Sequence, residues 1–255
     1  MIKKGNVMKY FIGNWKMFGI PTSYKIVEKI EKYFKKDTKN NKKYKIVISP
    51  PFTLLQDFSK RFKNKKINIS AQNSYFKDDF GAHTGNISPY MIKSLGVKYI
   101  ILGHSENRAS GESDEIIKLK VERALKNNFT IILCIGENKI EKKNNKTISV
   151  LNKQLKNVLK KNFNTRNLII AYEPIWSIGT GKLPTKEELI DTTVQIKKTL
   201  SQILKKNTPP VLYGGSVDSN TIYTFKDIGL IDGFLIGGAS KSSKKFIDII
   251  KNFYK

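Results

Sequence analysis

Eight short apolar segments recur along the chain, and each is followed by a longer stretch of helical character. Most are rich in Ile, Val, Leu and aromatic residues without polar alternation, which is typical of strands buried on both faces of a parallel sheet. Eight units over 255 residues average about 32 residues each, near the size of one strand–helix–strand unit. The segments are residues 10–12, 44–48, 67–70, 97–102, 130–135, 168–172, 211–213 and 234–236.

Helical spacing of apolar residues fills several of the intervals, notably 23–33, 113–125 and 148–159. Another helix is predicted to begin after Thr185, because Glu188 three residues later completes a capping box. We assign these apolar stripes to the core. The alternation predicts an α/β protein, a single-domain (β/α)₈ barrel over residues 1–255. An open, doubly wound sheet remains the alternative.

Charge is strongly biased, with 47 Lys and Arg against 21 Asp and Glu, a formal net charge of +26. Such a balance suits nucleic acid, an acidic membrane surface or an anionic substrate. Only four of these cations are arginine, which has the planar fork that recognises bases and phosphates. The lysines are also spread along the whole chain. We therefore interpret them as a solvated surface, disfavour nucleic acid as a partner, and keep polyanion binding as a minor alternative.

Cysteine and histidine are scarce. The single cysteine, Cys134, excludes an intramolecular disulfide and a Cys-only zinc site. The two histidines, His83 and His104, are too few for a His-rich metal site, so we predict no bound metal ion.

Membrane spans and secretory signals are not predicted, since no stretch approaches roughly 20 apolar residues and the first eight residues hold no long apolar region. We expect a cytoplasmic protein without a membrane partner. Met8 is a candidate alternative start, because the first strand is expected just after it, and the order of residues 1–7 is left open.

Polar residues or glycines follow five of the eight predicted strands. In a barrel the active site lies at the carboxyl ends of the strands, so these residues are the candidates for function. They are Gly13-Asn14-Trp15-Lys16, Gly103-His104-Ser105-Glu106, Glu173-Pro174, Gly214-Gly215-Ser216 and Gly237-Gly238.

The two glycine pairs favour phosphate binding. Glycine lets main-chain N–H groups approach an anion, a following helix start adds its dipole, and barrels often bind phosphate after strands seven and eight. No dinucleotide-type or Walker-type glycine motif is present, so nucleotide binding is disfavoured.

A carboxylate, an imidazole and an ammonium complete the candidate site. Glu173 precedes an apolar, glycine-ended segment that we interpret as a lid, which would exclude water from the carboxylate and raise its basicity. His104 precedes a predicted helix start, where the dipole favours the neutral ring. With Lys16 and a phosphate site, these groups suit proton abstraction beside the carbonyl of a small sugar phosphate. A lyase or epimerase acting on phosphorylated substrates is the alternative.

The chain resembles the triosephosphate isomerase family through motifs that occur in order from residue 14 to residue 240. Several are weak individually, but together they are very specific. They are Asn14-Trp15-Lys16-Met17, Ala71-Gln72-Asn73, Gly103-His104-Ser105-Glu106, Cys134-Ile135-Gly136-Glu137, Ala171-Tyr172-Glu173-Pro174-Ile175-Trp176, Ile178-Gly179-Thr180-Gly181-Lys182, Tyr213-Gly214-Gly215-Ser216-Val217 and Gly237-Gly238-Ala239-Ser240.

The resemblance implies a TIM barrel and an isomerase of glycolysis and gluconeogenesis that interconverts dihydroxyacetone phosphate and D-glyceraldehyde 3-phosphate without a cofactor. Glu173 would be the base, neutral His104 the electrophile, Lys16 the cation for substrate and phosphate, and Asn14 a hydrogen-bond donor to the substrate oxygen. Glu106, which would hold Lys16, and Ser105 would support them. The remaining phosphate-binding residues implied are Gly179, Ser216, Gly237 and Gly238.

The resemblance also implies a lid and a homodimer. The dimer loop would include Asn73, Thr84 and Gly85. The lid would consist of Pro174, Ile175, Trp176, Ser177, Ile178, Gly179, Thr180, Gly181 and Lys182.

The chain departs from the family pattern at several positions, none of which removes a catalytic group. Ser177 replaces alanine in the lid, which we expect to be a small change, and Pro184 follows the lid, where it would slow or bias lid motion. The changes at His83, Asn86 and Asn107 leave the strength of the dimer open. Phe18 replaces an asparagine, and Leu183 lies beside Pro184 in the hinge.

Overall fold

The eight predicted strands form one closed barrel. The structure, a computed structural model, describes residues 8–77, 79–161, 163–205 and 207–255, so residues 1–7 lie outside the described part of the chain. The strands lie in chain order, every neighbouring pair is parallel, and β1 pairs with β8. They are β1 (Lys9–Asn14), β2 (Tyr44–Ser49), β3 (Ile67–Ala71), β4 (Tyr99–Leu102), β5 (Thr130–Ile135), β6 (Leu168–Tyr172), β7 (Val211–Tyr213) and β8 (Gly233–Ile236).

Barrel closure confirms the (β/α)₈ architecture and excludes the open sheet that the sequence left as an alternative. The strand boundaries agree with prediction to within one residue, except that β1 extends to Asn14 rather than ending at residue 12 and β4 begins at Tyr99 rather than at residue 97.

Helices surround the barrel between successive strands, and the predicted capping box at Thr185 is confirmed. The interval between β7 and β8 contains a short 3₁₀ turn, Thr221–Phe225. The helices are α1 (Tyr24–Lys36), α2 (Phe52–Arg61), α3 (Pro89–Ser94), α4 (Ser105–Ala109), α5 (Asp114–Lys126), α6 (Lys139–Lys143), α7 (Thr147–Val158), α8 (Lys186–Leu204) and α9 (Ser243–Tyr254).

The core has two layers, which explains why the strands lack polar alternation. Side chains on one face of each strand fill the barrel interior, and those on the other face pack against the helices. The interior layer includes Ile12, Val47, Ile101, Ile132, Cys134, Ile169, Ala171, Leu212 and Leu235.

Neither a membrane-spanning helix nor a metal-binding cluster is found in the described part of the chain. No helix there is both long and apolar enough to cross a bilayer. In the same residues, no three His, Cys, Asp or Glu side chains are grouped so that they could hold a metal ion.

Candidate active site

One cavity of about 410 Å³ at the carboxyl ends of the strands contains the predicted catalytic and substrate-binding residues. Parallel strands end at the same mouth of a barrel, which is why residues far apart in sequence meet there. The cavity wall includes Asn14, Lys16, His104, Glu173, Gly179, Ser216, Gly237 and Gly238.

Glu173 follows the end of β6, and its side chain is only 3% exposed. Its main-chain N–H donates to the carbonyl oxygen of Ile135 at 2.8 Å, which fixes the backbone at this point. Oε1 lies 3.4 Å from Nε2 of His104, whereas Oε2 is buried without a hydrogen-bond partner. A buried carboxylate oxygen without a partner is unusual, and it leaves lone pairs that can accept a proton.

Gly214 makes room for the Glu173 side chain. A Cβ atom at position 214 would lie 2.6 Å from Cγ of Glu173, which is shorter than real contacts of this kind. The first residue after β7 therefore limits where the carboxylate can lie, and a side chain there would push it out of position.

We expect Gly214→Ala to lower kcat by roughly 10²-fold, because a displacement of about 1 Å at a reacting group has an effect of that order. Gly229→Ala is the matched control, since a Cβ there meets no atom within 4 Å. Steady-state kinetics with circular dichroism would check this. Equal kcat values for folded Gly214→Ala and wild type would show that Gly214 does not position the carboxylate.

His104 precedes α4, as predicted, and its Nδ1 accepts a hydrogen bond from the main-chain N–H of Glu106 at 3.2 Å. Burial lowers the pKa of His104, whereas the neighbouring carboxylates, chiefly that of Glu173, raise it, and the net shift is upward. Protonation of Nδ1 would nevertheless break the bond from Glu106, because that nitrogen cannot accept and carry a proton at once. The hydrogen bonding thus favours a neutral ring with its proton on Nε2, facing Glu173.

Lys16 is half-buried and ion-paired, and its Nζ lies 2.7 Å from Oε1 of Glu106. Partial burial would raise the pKa of Glu106, but the Lys16 ammonium outweighs it and the net shift is downward. The pair places a positive charge at the cavity wall, as the resemblance implied for these two residues.

The backbone of Lys16 adopts φ +55°, a left-handed conformation that is uncommon for a residue with a side chain. Three hydrogen bonds hold it there. Its N–H donates to Oδ1 of Asn14 at 3.0 Å, and its carbonyl accepts from Nε2 of Gln72 and from the N–H of Phe18, both at 3.0 Å. Nε2 of Gln72 also donates to the carbonyl of Ser49 at 2.8 Å. Gln72 belongs to one of the motifs shared with the family, but the sequence did not indicate its role in fixing the Lys16 backbone.

A 3₁₀ turn, Ile175–Ser177, follows Pro174 at the start of the lid. The indole of Trp176 in this turn is fixed by a hydrogen bond to Glu137. Nε1 of Trp176 donates to Oε1 of Glu137 at 2.8 Å, and the same oxygen lies 3.3 Å from the hydroxyl of Tyr172. Burial raises the pKa of Glu137 against the lowering effect of these hydrogen bonds. Glu137 also belongs to one of the shared motifs, but the sequence did not predict its contact with the lid.

The glycine pairs reach the cavity, but they do not precede α-helices directly, which corrects the expectation of a helix dipole behind each. Gly238 begins a 3₁₀ turn, Gly238–Lys241, and α9 starts only at Ser243. Phosphate binding there would depend on main-chain N–H groups rather than on an α-helix start.

The predicted dimer loop lies outside the cavity. Asn73 donates to Oε1 of Glu112 at 2.8 Å and accepts from Nζ of Lys120 at 2.9 Å, so this side chain is fixed within the chain. Thr84 and Gly85 are exposed. Ser105 is the first residue of α4, beside His104.

Two departures from the family pattern have clear contacts. The Phe18 ring packs against Trp15, with centroids 5.7 Å apart, and Nζ of Lys241 lies 5.4 Å from its centroid. The His83 ring packs against Tyr75 with centroids 4.8 Å apart. Both replacements are therefore accommodated by aromatic packing.

Comparison with known proteins gives one consistent result. The model of the triosephosphate isomerase family matches residues 9–253. A triosephosphate isomerase from Borrelia garinii subsp. bavariensis is 40% identical over 250 residues, covering 95% of this chain and 98% of the relative. One from Yarrowia lipolytica is 41% identical over 248 residues, with the same coverage. The crystal structure of triosephosphate isomerase from Bartonella henselae superposes with a TM-score of 0.87 at 31% identity, covering 97% of this chain and 99% of that one.

Proposed function

The chain belongs to the triosephosphate isomerase family, and we propose that Glu173, His104, Lys16 and Asn14 carry out its reaction. That reaction is the interconversion of dihydroxyacetone phosphate and D-glyceraldehyde 3-phosphate, a step of glycolysis and gluconeogenesis. The observation that carries the assignment is the 3.4 Å contact between Glu173 and His104 in the same cavity as Lys16.

Glu173 is the base in this proposal. It takes the proton from one carbon of the substrate and returns it to the neighbouring carbon, so that no proton is lost overall. Its burial at 3% exposure and its unpartnered Oε2 support this role, since a poorly solvated carboxylate is a stronger base.

The other three side chains stabilise the charge that develops on the substrate oxygens. His104 donates from Nε2, because Nδ1 already accepts from the main chain. Lys16 supplies a fixed positive charge, and Asn14, which is 5% exposed at the end of β1, donates a further hydrogen bond. Donors that are already oriented cost no reorganisation when the charge forms.

Phosphate binds, in this proposal, to the main-chain N–H groups of Gly179, Ser216, Gly237 and Gly238. All four residues line the cavity, in the segments that follow β6, β7 and β8. The lid then covers the substrate, excludes water and prevents loss of phosphate from the enediolate.

A Schiff-base lyase, the alternative from sequence, is disfavoured by the ion pair of Lys16. Such an enzyme needs a free, desolvated amine at a strand end, whereas Nζ of Lys16 lies 2.7 Å from a carboxylate oxygen. A coupled assay of both directions of triose-phosphate interconversion tests the function directly. We expect turnover with each substrate, and absence of conversion by the folded protein would refute the proposal.

We also propose that the chain acts as a homodimer in the cytoplasm. Large apolar side chains near the site and in the loop after β3 are exposed, among them Met17 at 98% and Phe80 at 71%. The Phe80 ring packs against the exposed Tyr90 ring, with centroids 5.3 Å apart, and contiguous exposed apolar side chains are typical of a protein interface. Thr84 and Gly85 lie in the same loop and would face the partner.

Sedimentation velocity tests the dimer. We expect a species of twice the 29.1 kDa chain mass, and Thr84→Arg should shift it towards the monomer by placing a bulky charge in the interface. Thr38→Arg, in the turn after α1 at the other end of the barrel, is the matched control. A wild-type protein that sediments as a single chain at all micromolar concentrations would contradict the proposal.

A further inference from the structure

We propose that the hydroxyl of Ser177 fastens both ends of the lid to the loop after β7 and so positions the lid for catalysis. This inference deepens the proposed function, because the lid matters only if Glu173 acts beneath it. Ser177 is a positioning residue in this account, since it acts through the lid rather than on the substrate.

The Ser177 hydroxyl connects the start of the lid with its end. The side chain is fully buried in the 3₁₀ turn that opens the lid, and Oγ donates to the carbonyl oxygen of Lys182 at 2.5 Å. Residues 177 and 182 are thereby held together, which closes the lid segment into a compact loop.

The same oxygen connects the lid with β7. Oγ lies 3.0 Å from the hydroxyl of Tyr213, and it accepts a hydrogen bond from the main-chain N–H of Ser216 at 3.3 Å. A serine hydroxyl has one donor and two acceptor positions. Because the donor is used by Lys182, Tyr213 must donate, and all three positions of the Ser177 hydroxyl are then occupied.

The Ser216 side chain makes two further hydrogen bonds with the lid. Its Oγ donates to the main-chain carbonyl of Ser177 at 2.5 Å and accepts from the N–H of Gly181 at 3.1 Å. Ser216 is also one of the residues proposed to bind phosphate. The lid and the phosphate loop therefore form one hydrogen-bonded unit, which we call the lid clamp: Ser177, Gly181, Lys182, Tyr213 and Ser216.

The hydroxyls of Ser177 and Tyr213 pack directly against the backbone of Gly215. A Cβ atom at this position would lie 2.2 Å from the Tyr213 hydroxyl oxygen and 2.6 Å from Oγ of Ser177. The two hydroxyls therefore occupy the space beside the Gly215 backbone, and only glycine fits there without displacing one of them.

An alanine at position 177 would leave three polar groups with one partner fewer: the buried Tyr213 hydroxyl, the N–H of the half-buried Ser216 and the carbonyl of the exposed Lys182. Losing partners of buried polar groups is costly. The expectation that serine in place of alanine is a small change is therefore not supported by these contacts.

The test compares Ser177→Ala, Tyr213→Phe and the double variant by steady-state kinetics and by the affinity for phosphoglycolate. We expect Tyr213→Phe to lower kcat and to weaken phosphoglycolate by roughly 10-fold, the effect of one lost hydrogen bond. Ser177→Ala should have a larger effect, because it removes three. Inorganic phosphate should be affected less, because it is too small to need the whole lid. The double variant should be little worse than Ser177→Ala alone, since that variant has already lost the contact that Tyr213→Phe removes.

A fluorine signal gives a readout that does not depend on activity. The chain has two tryptophans, Trp176 in the lid next to Ser177 and Trp15 in the core, packed against Phe18 and Phe58. In protein labelled with 5-fluorotryptophan, Ser177→Ala should shift or broaden the Trp176 resonance and leave that of Trp15 unchanged.

The control is Ser70→Ala, which removes an equally buried serine hydroxyl from β3, where it donates to the carbonyl of Ala71. Additive effects of Ser177→Ala and Tyr213→Phe, or an unchanged Trp176 resonance and phosphoglycolate affinity in Ser177→Ala, would overturn the clamp. Wild-type protein without isomerase activity would instead refute the proposed function, so the two failures are distinguishable.

Discussion

Glu173→Gln is expected to lower kcat by about 10³- to 10⁴-fold, because the amide cannot accept the proton that the reaction moves and general base catalysis contributes roughly this much. The amide has nearly the same shape and remains beside His104, so KM should change far less than kcat. Glu173→Asp keeps the charge but withdraws the carboxylate, and a loss of roughly 10²-fold is expected for it.

The matched control for this change is Glu28→Gln on the exposed face of α1, which removes one carboxylate without touching the cavity. It should have wild-type kinetics. Hydrogen exchange between substrate and solvent provides a second measurement, since loss of the base should stop incorporation of solvent deuterium. A Glu173→Gln variant with wild-type kcat would remove this residue from the mechanism.

Lys16→Ala is expected to lower kcat/KM by at least about 10²-fold and to weaken phosphoglycolate strongly. The reason is that an oriented charge at a developing oxyanion typically contributes that much in a cavity with little water. The substitution also leaves the Glu106 carboxylate without its partner at 2.7 Å, so the neutral ion pair becomes a single negative charge. Titration calorimetry with phosphoglycolate measures the loss of affinity.

Net charge alone is tested with Lys153→Ala, on the exposed side of α7, which lowers the total charge by the same amount. This variant should bind phosphoglycolate like the wild type at physiological ionic strength. Tight binding of phosphoglycolate by Lys16→Ala would contradict the role given to Lys16. The comparison matters here because the chain carries a formal charge of +26.

The fold could be predicted from local patterns because a parallel strand is buried on both faces and lacks polar residues. Each of the eight apolar segments became a strand, and the Thr185 capping box was correct at the level of single hydrogen bonds. Turns were predicted less well. Gly238 opens a 3₁₀ turn and Gly214-Gly215 leads into a loop, so neither pair directly precedes an α-helix, since glycine permits many conformations.

The candidate site was also predictable as a set of residues, because strand ends in a barrel converge on one mouth. The contacts that hold the site residues in place could not be predicted from the sequence. Gln72 fixes the carbonyl of Lys16, and Glu137 fixes the lid indole, yet both are ordinary polar residues in sequence. Ser177 was noticed only as a departure from the family pattern, although its hydroxyl has three contacts.

By itself the sequence determined the number of strands, their burial and which residues follow them, since these depend on apolar pattern and spacing within a few residues. The tertiary structure alone decided the hydrogen-bond partners. Lys16 is bonded to Glu106, which is 90 residues away in sequence, and to Gln72, which is 56 residues away. Ser177 is bonded to Tyr213, which is 36 residues away. Such pairs form only when the barrel closes, and a change of about 1 Å in side-chain position makes or breaks a hydrogen bond. Local sequence does not carry distances of that precision.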